Sequence, residues 1–318
     1  MIKTDIKISF VIPLYNEESI FEILISRLDQ FSATLRVPHE IILIDDGSSD
    51  NTPNLMETLS LKDTKYHSIF LSRNFGHQYA VTAGLMFSSG TDGVMILDGD
   101  LQDPPEIFNS FYQYLQEGYE VVYGIRTRRK EGRFKKMGYY FFYRLLSKIS
   151  PTPVFIDSGD FSLLSRRVVD IINMMPENSR FLRGMRGWVG FKQRGVVYER
   201  DGRVGGEPKY TFAKLIKLAY DGIFNFSFFP IRFLTWSGVI CLLSSVLYLI
   251  VTVYRKFFEN DVPIGFTALL FIIIFFGGIQ LISIGIIGEY VFRTFQQVKN
   301  RPMFIVKTRI EKGAIVNE

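Results

Sequence analysis

No residue between Phe233 and Tyr254 is charged, and the same holds from Val262 to Gly288. Each run exceeds the roughly 20 residues that carry a helix across a bilayer. Two helices buried in a water-soluble core would be shorter and would keep a polar stripe. The expectation is a transmembrane hairpin over residues 231–290. Its turn holds Arg255, Lys256, Glu259 and Asp261, whose charges cancel. Lys209, Lys214, Lys217 and Arg232 precede the first run, and Arg293, Lys299, Arg301, Lys307 and Arg309 follow the second. The positive-inside rule then puts both termini in the cytoplasm. The start, Met1–Asp5, leads into a strand-like run without a signal-peptide core. Residues 1–208 are thus expected to form a cytosolic domain anchored from its C-terminal side. Residues 209–230 would be a juxtamembrane amphipathic segment and 291–318 a cytosolic tail.

The net charge is +5 and the isoelectric point about 9.1. The basic residues gather beside the apolar runs, a distribution that favours anionic lipid over nucleic acid. Cys241 is the single cysteine, so no intrachain disulfide forms, and within the first apolar run it reads as a small hydrophobe.

The first 125 residues alternate between two periods. Ile8–Ile12, Ile41–Ile44, His67–Leu71 and Gly93–Leu97 read as buried strands, the first ending at Pro13. Helical spacing fills Glu17–Leu35, the stretch from about Asp50 with Thr52 and Pro53 in its first turn, and Gly76–Phe87. Strands separated by helices of this length predict an α/β domain with a mostly parallel sheet covered on both faces. In such sheets ligands bind beyond the carboxyl ends of the strands. Four segments then share that rim: Pro13–Glu17, Asp45–Ser48, Ser72–Gly76 and Asp98–Asp100. Asp98 and Asp100 follow an apolar strand at i and i+2 and face the same way, a pairing suited to a hard divalent cation that also takes phosphate oxygens. No Walker A or G-x-G-x-x-G element is present, so neither a P-loop nor a dinucleotide site is supported.

Taken together, Phe10–Glu18, Ile44–Ser48, Arg73–Gly76 and Asp98–Pro105 resemble glycosyltransferase family 2. The branch they resemble is the polyprenyl-phosphate glycosyltransferases, which include bactoprenol glucosyltransferases and dolichol-phosphate mannose synthase. The resemblance runs on through Gly159–Phe161, Arg180–Gly184, Arg200–Arg203, Lys209–Tyr210 and both apolar runs. It implies a GT-A nucleotide-sugar-binding domain. The Pro13, Tyr15, Asn16 and Glu17 loop with Asp46 would hold nucleobase and ribose. Asp98 and Asp100 would carry the diphosphate and, with Gln102, a Mg²⁺ or Mn²⁺ ion. Asp160 falls where the family keeps a catalytic or acceptor-positioning acid, and Arg200, Arg203 and Lys209 match a loop that closes over the phosphates. Two departures stand out: Gly99 sits where relatives often carry Ala or Val, and Ser162 where many bacterial members have Arg.

The resemblance further implies an inverting, multi-pass enzyme of the cytoplasmic (inner) membrane that moves one sugar to polyprenyl phosphate, with possible assembly as a homotetramer. UDP-glucose is the leading donor; UDP-N-acetylglucosamine, UDP-galactose and GDP-mannose stay open. Arg126, Arg128, Arg129, Lys130, Arg133, Lys135 and Lys136 form a basic stretch, of which Arg126, Arg129 and Lys135 are expected to hold the lipid phosphate. After it, residues 132–150 set Phe134, Phe142, Leu145, Leu146 and Ile149 on one side of a helix and Lys136, Arg144 and Lys148 on the other, the pattern of an interfacial helix. A processive polysaccharide synthase is the rival enzyme, but Arg186–Gly187–Trp188 lacks the Gln-x-x-Arg-Trp spacing and two spans make no pore. A membrane-tethered nucleotide-sugar sensor is the non-enzymatic rival.

Overall fold

The computed structural model describes residues 6–100, 102–126, 158–178, 180–199, 229–258 and 265–316. The chain runs β1 (Ile8–Leu14), α1 (Phe21–Thr34), β2 (His39–Asp45), α2 (Thr52–Lys62), β3 (Tyr66–Leu71), α3 (His77–Phe87) and β4 (Gly93–Ile96). It continues through α4 (Phe108–Gln116), β5 (Val121–Arg126), β6 (Ser158–Ser165), α5 (Arg166–Met174), α6 (Leu182–Trp188) and β7 (Gln193–Tyr198). Two long helices follow, α7 (Phe229–Phe258) and α8 (Phe266–Val298), and then β8 (Val306–Glu311) and β9 (Ala314–Val316).

The strands form one sheet in the order β7-β5-β6-β4-β1-β2-β3-β8-β9. β1, with no exposed residue, sits between β2 and β4, parallel to both. Phe10, Leu24, Phe31, Met56, Phe108 and Phe111 build the core on the α1, α2 and α4 face, with Phe10 and Phe108 edge to face at 5.2 Å between centroids. Val11, Ile44, Ala80, Val94, Val168 and Met185 build the other, under α3, α5 and α6. Helices α1 and α2 cover one face while α3 crosses to the other, so the winding reverses between β1 and β4. That switch point is where an open α/β sheet holds ligand.

Gly84 lets α3 lie close on the sheet: a Cβ there would come within 2.3 Å of a Val11 methyl. Pro13 lies inside β1 and does not end it. Its missing N–H goes unneeded because the β1–β4 pairing stops at Val11 and Ile96.

The expectation of a mostly parallel sheet is corrected. Four strand pairings are parallel and four antiparallel, because β6 runs back between β4 and β5 and because part of the expected cytosolic tail, β8 and β9, joins the sheet. β8 pairs with β3 antiparallel, Ile310 opposite Ser68, and Ile310 is fully buried.

α7 and α8 hold apolar windows, Phe233–Thr252 (mean hydropathy 2.1) and Phe275–Val298 (1.6), long and apolar enough to cross a membrane. The second helix continues past the uncharged run, through the Glu289–Arg293 ion pair, to Val298. Its last turn docks on the domain. Gln297 Oε1 accepts from the Asn178 backbone N–H at 3.0 Å, and Asn178 Nδ2 donates to the Gln296 carbonyl at 3.1 Å. Of the sequence expectations, the amphipathic helix 132–150 lies outside the described residues, as does the juxtamembrane segment up to residue 228.

Candidate active site

The rim is laced together before any substrate arrives. Asn16 adopts a left-handed conformation (φ 52°); its N–H donates to Ser48 Oγ at 2.9 Å and its Oδ1 accepts from Ser49 N–H at 2.8 Å. The Glu17 N–H donates to Thr52 Oγ1 at 3.0 Å. Asp46 reaches the third segment: its carboxylate accepts from the N–H groups of Phe75 (2.8 Å) and Gly76 (3.0 Å). Burial lifts the Asp46 carboxyl above the usual range, against the pull of these two donors. Gly47 (φ 69°) fits because any Cβ there would press within 2.3 Å of the Arg73 carbonyl carbon. Tyr15 stays partly exposed beside this frame, a flat surface at the mouth of the rim. Asn16, Glu17 and Asp46 therefore order the loops around the position expected for a base and ribose.

The antiparallel register of β4 and β6 does the next piece of work. Gly93 pairs with Ser165 and Ile96 with Ser162. Carried two residues further, that register sets Asp98 level with Asp160. Between them stands His77, the first residue of α3, with Nε2 3.4 Å from Asp160 Oδ2 and 3.8 Å from Asp98 Oδ1. Arg183 of α6 closes the far side in a bidentate pair, Nε to Asp160 Oδ1 at 2.8 Å and a terminal nitrogen to Oδ2 at 3.3 Å. Gln78 Nε2 donates to Asp160 Oδ2 at 2.9 Å.

Two carboxylates of like type thus meet opposite surroundings. Burial raises both, but Arg183 and His77 hold Asp160 well below the usual carboxylate range. Asp98 is pushed up to about 6, by burial first and then by Asp103, Asp100 and Asp160, with His77 pulling against them. The His77 imidazole is raised, since Asp160 and Asp98 outweigh the effect of its burial. The end of β4 is consequently a place of excess negative potential.

The profile of glycosyl transferase family 2 matches residues 9–172, more than half of the chain. The chain belongs to glycosyl transferase family 2. It is 40% identical over 303 residues to the uncharacterized glycosyltransferase YkcC of Bacillus subtilis (strain 168), covering 95% of this chain and 94% of that one. It is 37% identical over 307 residues to the prophage bactoprenol glucosyl transferase homolog of Escherichia coli (strain K12), covering 96% of this chain and 100% of that one. Among solved structures it is similar to S. aureus TarS 1-349 in complex with UDP-GlcNAc, with a TM-score of 0.46 at 16% identity, over 70% of this chain and 67% of that one. A likeness that remote assigns no residue.

Within this family 2 domain the D-x-D segment suits a hard cation. Its side-chain donors are carboxylate and amide oxygens, from Asp98, Asp100 and Gln102, in a negative potential that a cation relieves. Among the described residues no cluster of three or more His, Cys, Asp or Glu forms a ready cage. Two carboxylates alone match an ion completed by phosphate and water. Gln102 lies beside Asp100, its N–H donating to Asp100 Oδ1 at 3.1 Å. Asp103, whose charge also raises Asp98, accepts from the Tyr198 hydroxyl at the end of β7.

The two departures from the family pattern have local explanations. A Cβ on Gly99 would come within 2.5 Å of a Leu14 methyl, so Leu14 occupies the space that a larger residue needs. Ser162 is buried and donates to the Asp160 carbonyl at 2.8 Å, tightening the strand that carries the acid. Arg126 ends β5, where its backbone pairs with Tyr198. Arg129, Lys135, Arg200, Arg203 and Lys209 lie outside the described residues.

Sequence reasoning passed over His77 and Gln78, and took Arg183 only as part of a motif. A signal for the first two was present: they follow Gly76, whose φ of 110° opens α3 at the rim, so they occupy the first turn of a helix aimed at the site. Arg183 carried no such signal, because its partner lies 23 residues away on another element.

Proposed function

We propose that the chain is a membrane-anchored, inverting glycosyltransferase that moves one sugar from a nucleoside diphosphate to polyprenyl phosphate at the cytoplasmic face of the inner membrane. UDP-glucose is the proposed donor. The observation that carries this reading is the meeting of Asp98, His77, Asp160 and Arg183 at the switch point of a family 2 domain on which a long apolar helix docks. The bactoprenol glucosyl transferase relatives support the acceptor class.

In this reading the nucleobase lies against Pro13 and Tyr15 with Asp46 beneath, and the diphosphate lies at Asp98 and Asp100. A Mg²⁺ or Mn²⁺ ion held by Asp98, Asp100 and Gln102 would supply positive charge to the departing diphosphate. Arg200, Arg203 and Lys209 add cations there. Arg126, Arg129 and Lys135 hold the lipid phosphate. A phosphate monoester has a second pKa near 6 and is mostly ionised at neutral pH, so its oxygen attacks the anomeric carbon without a strong base. The bond to the diphosphate breaks on the opposite side, and the sugar inverts. Both Asp160 oxygens already accept from cationic or amide donors, which makes it a weak base and suits it to orienting Arg183 and the acceptor.

Sheet topology supports the expected orientation. β8 follows α8 and pairs with β3 of the same domain, so two crossings would bring the chain back to the side it left. Assembly as a homotetramer belongs to the same proposal.

Labelled UDP-glucose and polyprenyl phosphate, incubated with the purified protein in vesicles, test the reading. A lipid carrying one sugar is expected. A polymer would identify a processive synthase. No product from UDP-glucose, UDP-N-acetylglucosamine, UDP-galactose or GDP-mannose would leave the sensor, and tighter binding of GDP than UDP would overturn the uridine assignment.

A further inference from the structure

We infer that Gln78 is a positioning residue for sugar transfer, its side-chain amide fixing the Asp160 carboxylate and the start of α6 in one bridge. The inference rests on the reading that Asp160 stands at the reacting centre.

The amide uses both ends. Nε2 donates to Asp160 Oδ2 at 2.9 Å, and Oε1 accepts from the Leu182 N–H at 2.9 Å. Leu182 is the first residue of α6, a position whose N–H has no earlier helical carbonyl to reach. The residue before it, Phe181, offers no side-chain cap, so Gln78 supplies one from another element. The next residue along α6 is Arg183, which pairs with both oxygens of the same Asp160, more closely with Oδ1 at 2.8 Å than with Oδ2 at 3.3 Å. The result is a closed ring: Gln78 to Asp160, Asp160 to Arg183, Arg183 to its neighbour Leu182, and Leu182 back to Gln78.

That ring removes a freedom which the ion pair alone would keep. A guanidinium on a long stem can follow a carboxylate through many rotamers. Tied at Leu182, α6 presents Arg183 from one place, and tied at Oδ2, Asp160 keeps one carboxylate plane. The third anchor is tied as well, because Gly76, the residue before α3, donates its N–H to Asp46 at 3.0 Å. Gln78 thereby links the loop around the expected nucleotide to the acid across the sheet. No other side chain of this length carries both groups: Glu lacks the donor, Lys lacks the acceptor, and Asn is one methylene shorter.

Gln78→Glu separates this role from simple capping, since it keeps an acceptor for Leu182 and replaces the donor to Asp160 with a carboxylate that repels it. With the full-length protein in vesicles, kcat is expected to fall at least tenfold while the KM for UDP-glucose and the affinity for UDP stay within about threefold of wild type. Asp160→Asn supplies the second arm. If Gln78 acts through Asp160, adding Gln78→Glu to Asp160→Asn lowers kcat by less than twofold more. Should Gln78→Glu fail to fold, Gln78→Asn, which retains both groups at shorter reach, is read by the same cycle. A folded Gln78→Glu protein with wild-type kcat, or a fully additive cycle, overturns the inference. Wild-type protein that transfers no sugar overturns the underlying reading instead.

Discussion

Tyr79 donates its hydroxyl to the carbonyl of Asn178 at 2.6 Å. Asn178 in turn holds Gln297 and Gln296 at the end of α8. The first turn of α3, which carries His77 and Gln78 into the site, is therefore joined through one loop to the end of a long apolar helix. Arg180 braces the same loop, donating to the Ile172 carbonyl at 3.0 Å.

Asn178→Ala removes the side-chain half of this joint and leaves the backbone half. A loss of about 1 kcal/mol of domain stability is expected, the usual contribution of one such bond. Because the joint leads to α3, turnover should fall more than UDP affinity. Calorimetry and steady-state kinetics on the vesicle-bound protein measure both, and unchanged turnover would show that the joint only holds the helix.

Asp98→Asn and Asp100→Asn should each lower transfer by 10²-fold or more, with melting temperature nearly unchanged, since the two residues lie past the strand and outside the core. Removing the divalent ion with EDTA should do the same, and added Mg²⁺ or Mn²⁺ should restore activity. Full turnover in EDTA would refute the metal assignment.

Asp46 offers a way to separate reading a base from holding a loop. Its Oδ1 accepts from both Phe75 and Gly76, and Asn can keep that oxygen in place. Asp46→Asn should then preserve the fold, while Asp46→Ala frees two half-buried N–H groups and costs about 1 kcal/mol. If Asp46 also contacts the base, Asp46→Asn lowers UDP affinity at unchanged stability; isothermal titration decides between the two.

Glu40 contributes to the acid limit of the fold far from the site. Buried at the start of β2, it accepts from Ser9 Oγ, from Ser89 N–H at 2.8 Å and Ser89 Oγ at 2.7 Å, and lies 3.2 Å from His67 Nδ1. Burial raises its carboxyl, but His67, Ser9 and Ser89 outweigh that and hold it below its ordinary 4.5. A carboxylate depressed in the folded state stabilises fully above its unfolded pKa and loses that contribution as pH falls through the folded value. Stability should therefore decline below about pH 4.5, and Glu40→Gln should flatten that decline while lowering stability at pH 7 by about 1–3 kcal/mol. A denaturant series at pH 3 to 7 checks both.

The strands β1 to β4 and the helices between them could be read from the chain because periods of 2 and 3.6 are local properties. The rim could be read for the same reason, since each of its segments ends an apolar run. β8 was legible in principle: Val306, Thr308 and Ile310 alternate with Lys307, Arg309 and Glu311. The apolar run before it made a tail the simpler expectation, and only pairing with β3 gives the segment a place.

By itself, then, the sequence determined where β1 to β4 lie and that two segments are too apolar and too long for an ordinary core. Those outcomes depend on neighbours a few residues apart. Only the tertiary structure decided that Asp160 stands level with Asp98, that His77 comes between them, and that Gln78 and Arg183 hold the acid from α3 and α6. These are partnerships between residues 23 to 104 positions apart. They follow from strand register and helix packing, which are set by the whole buried core and by no short stretch of it.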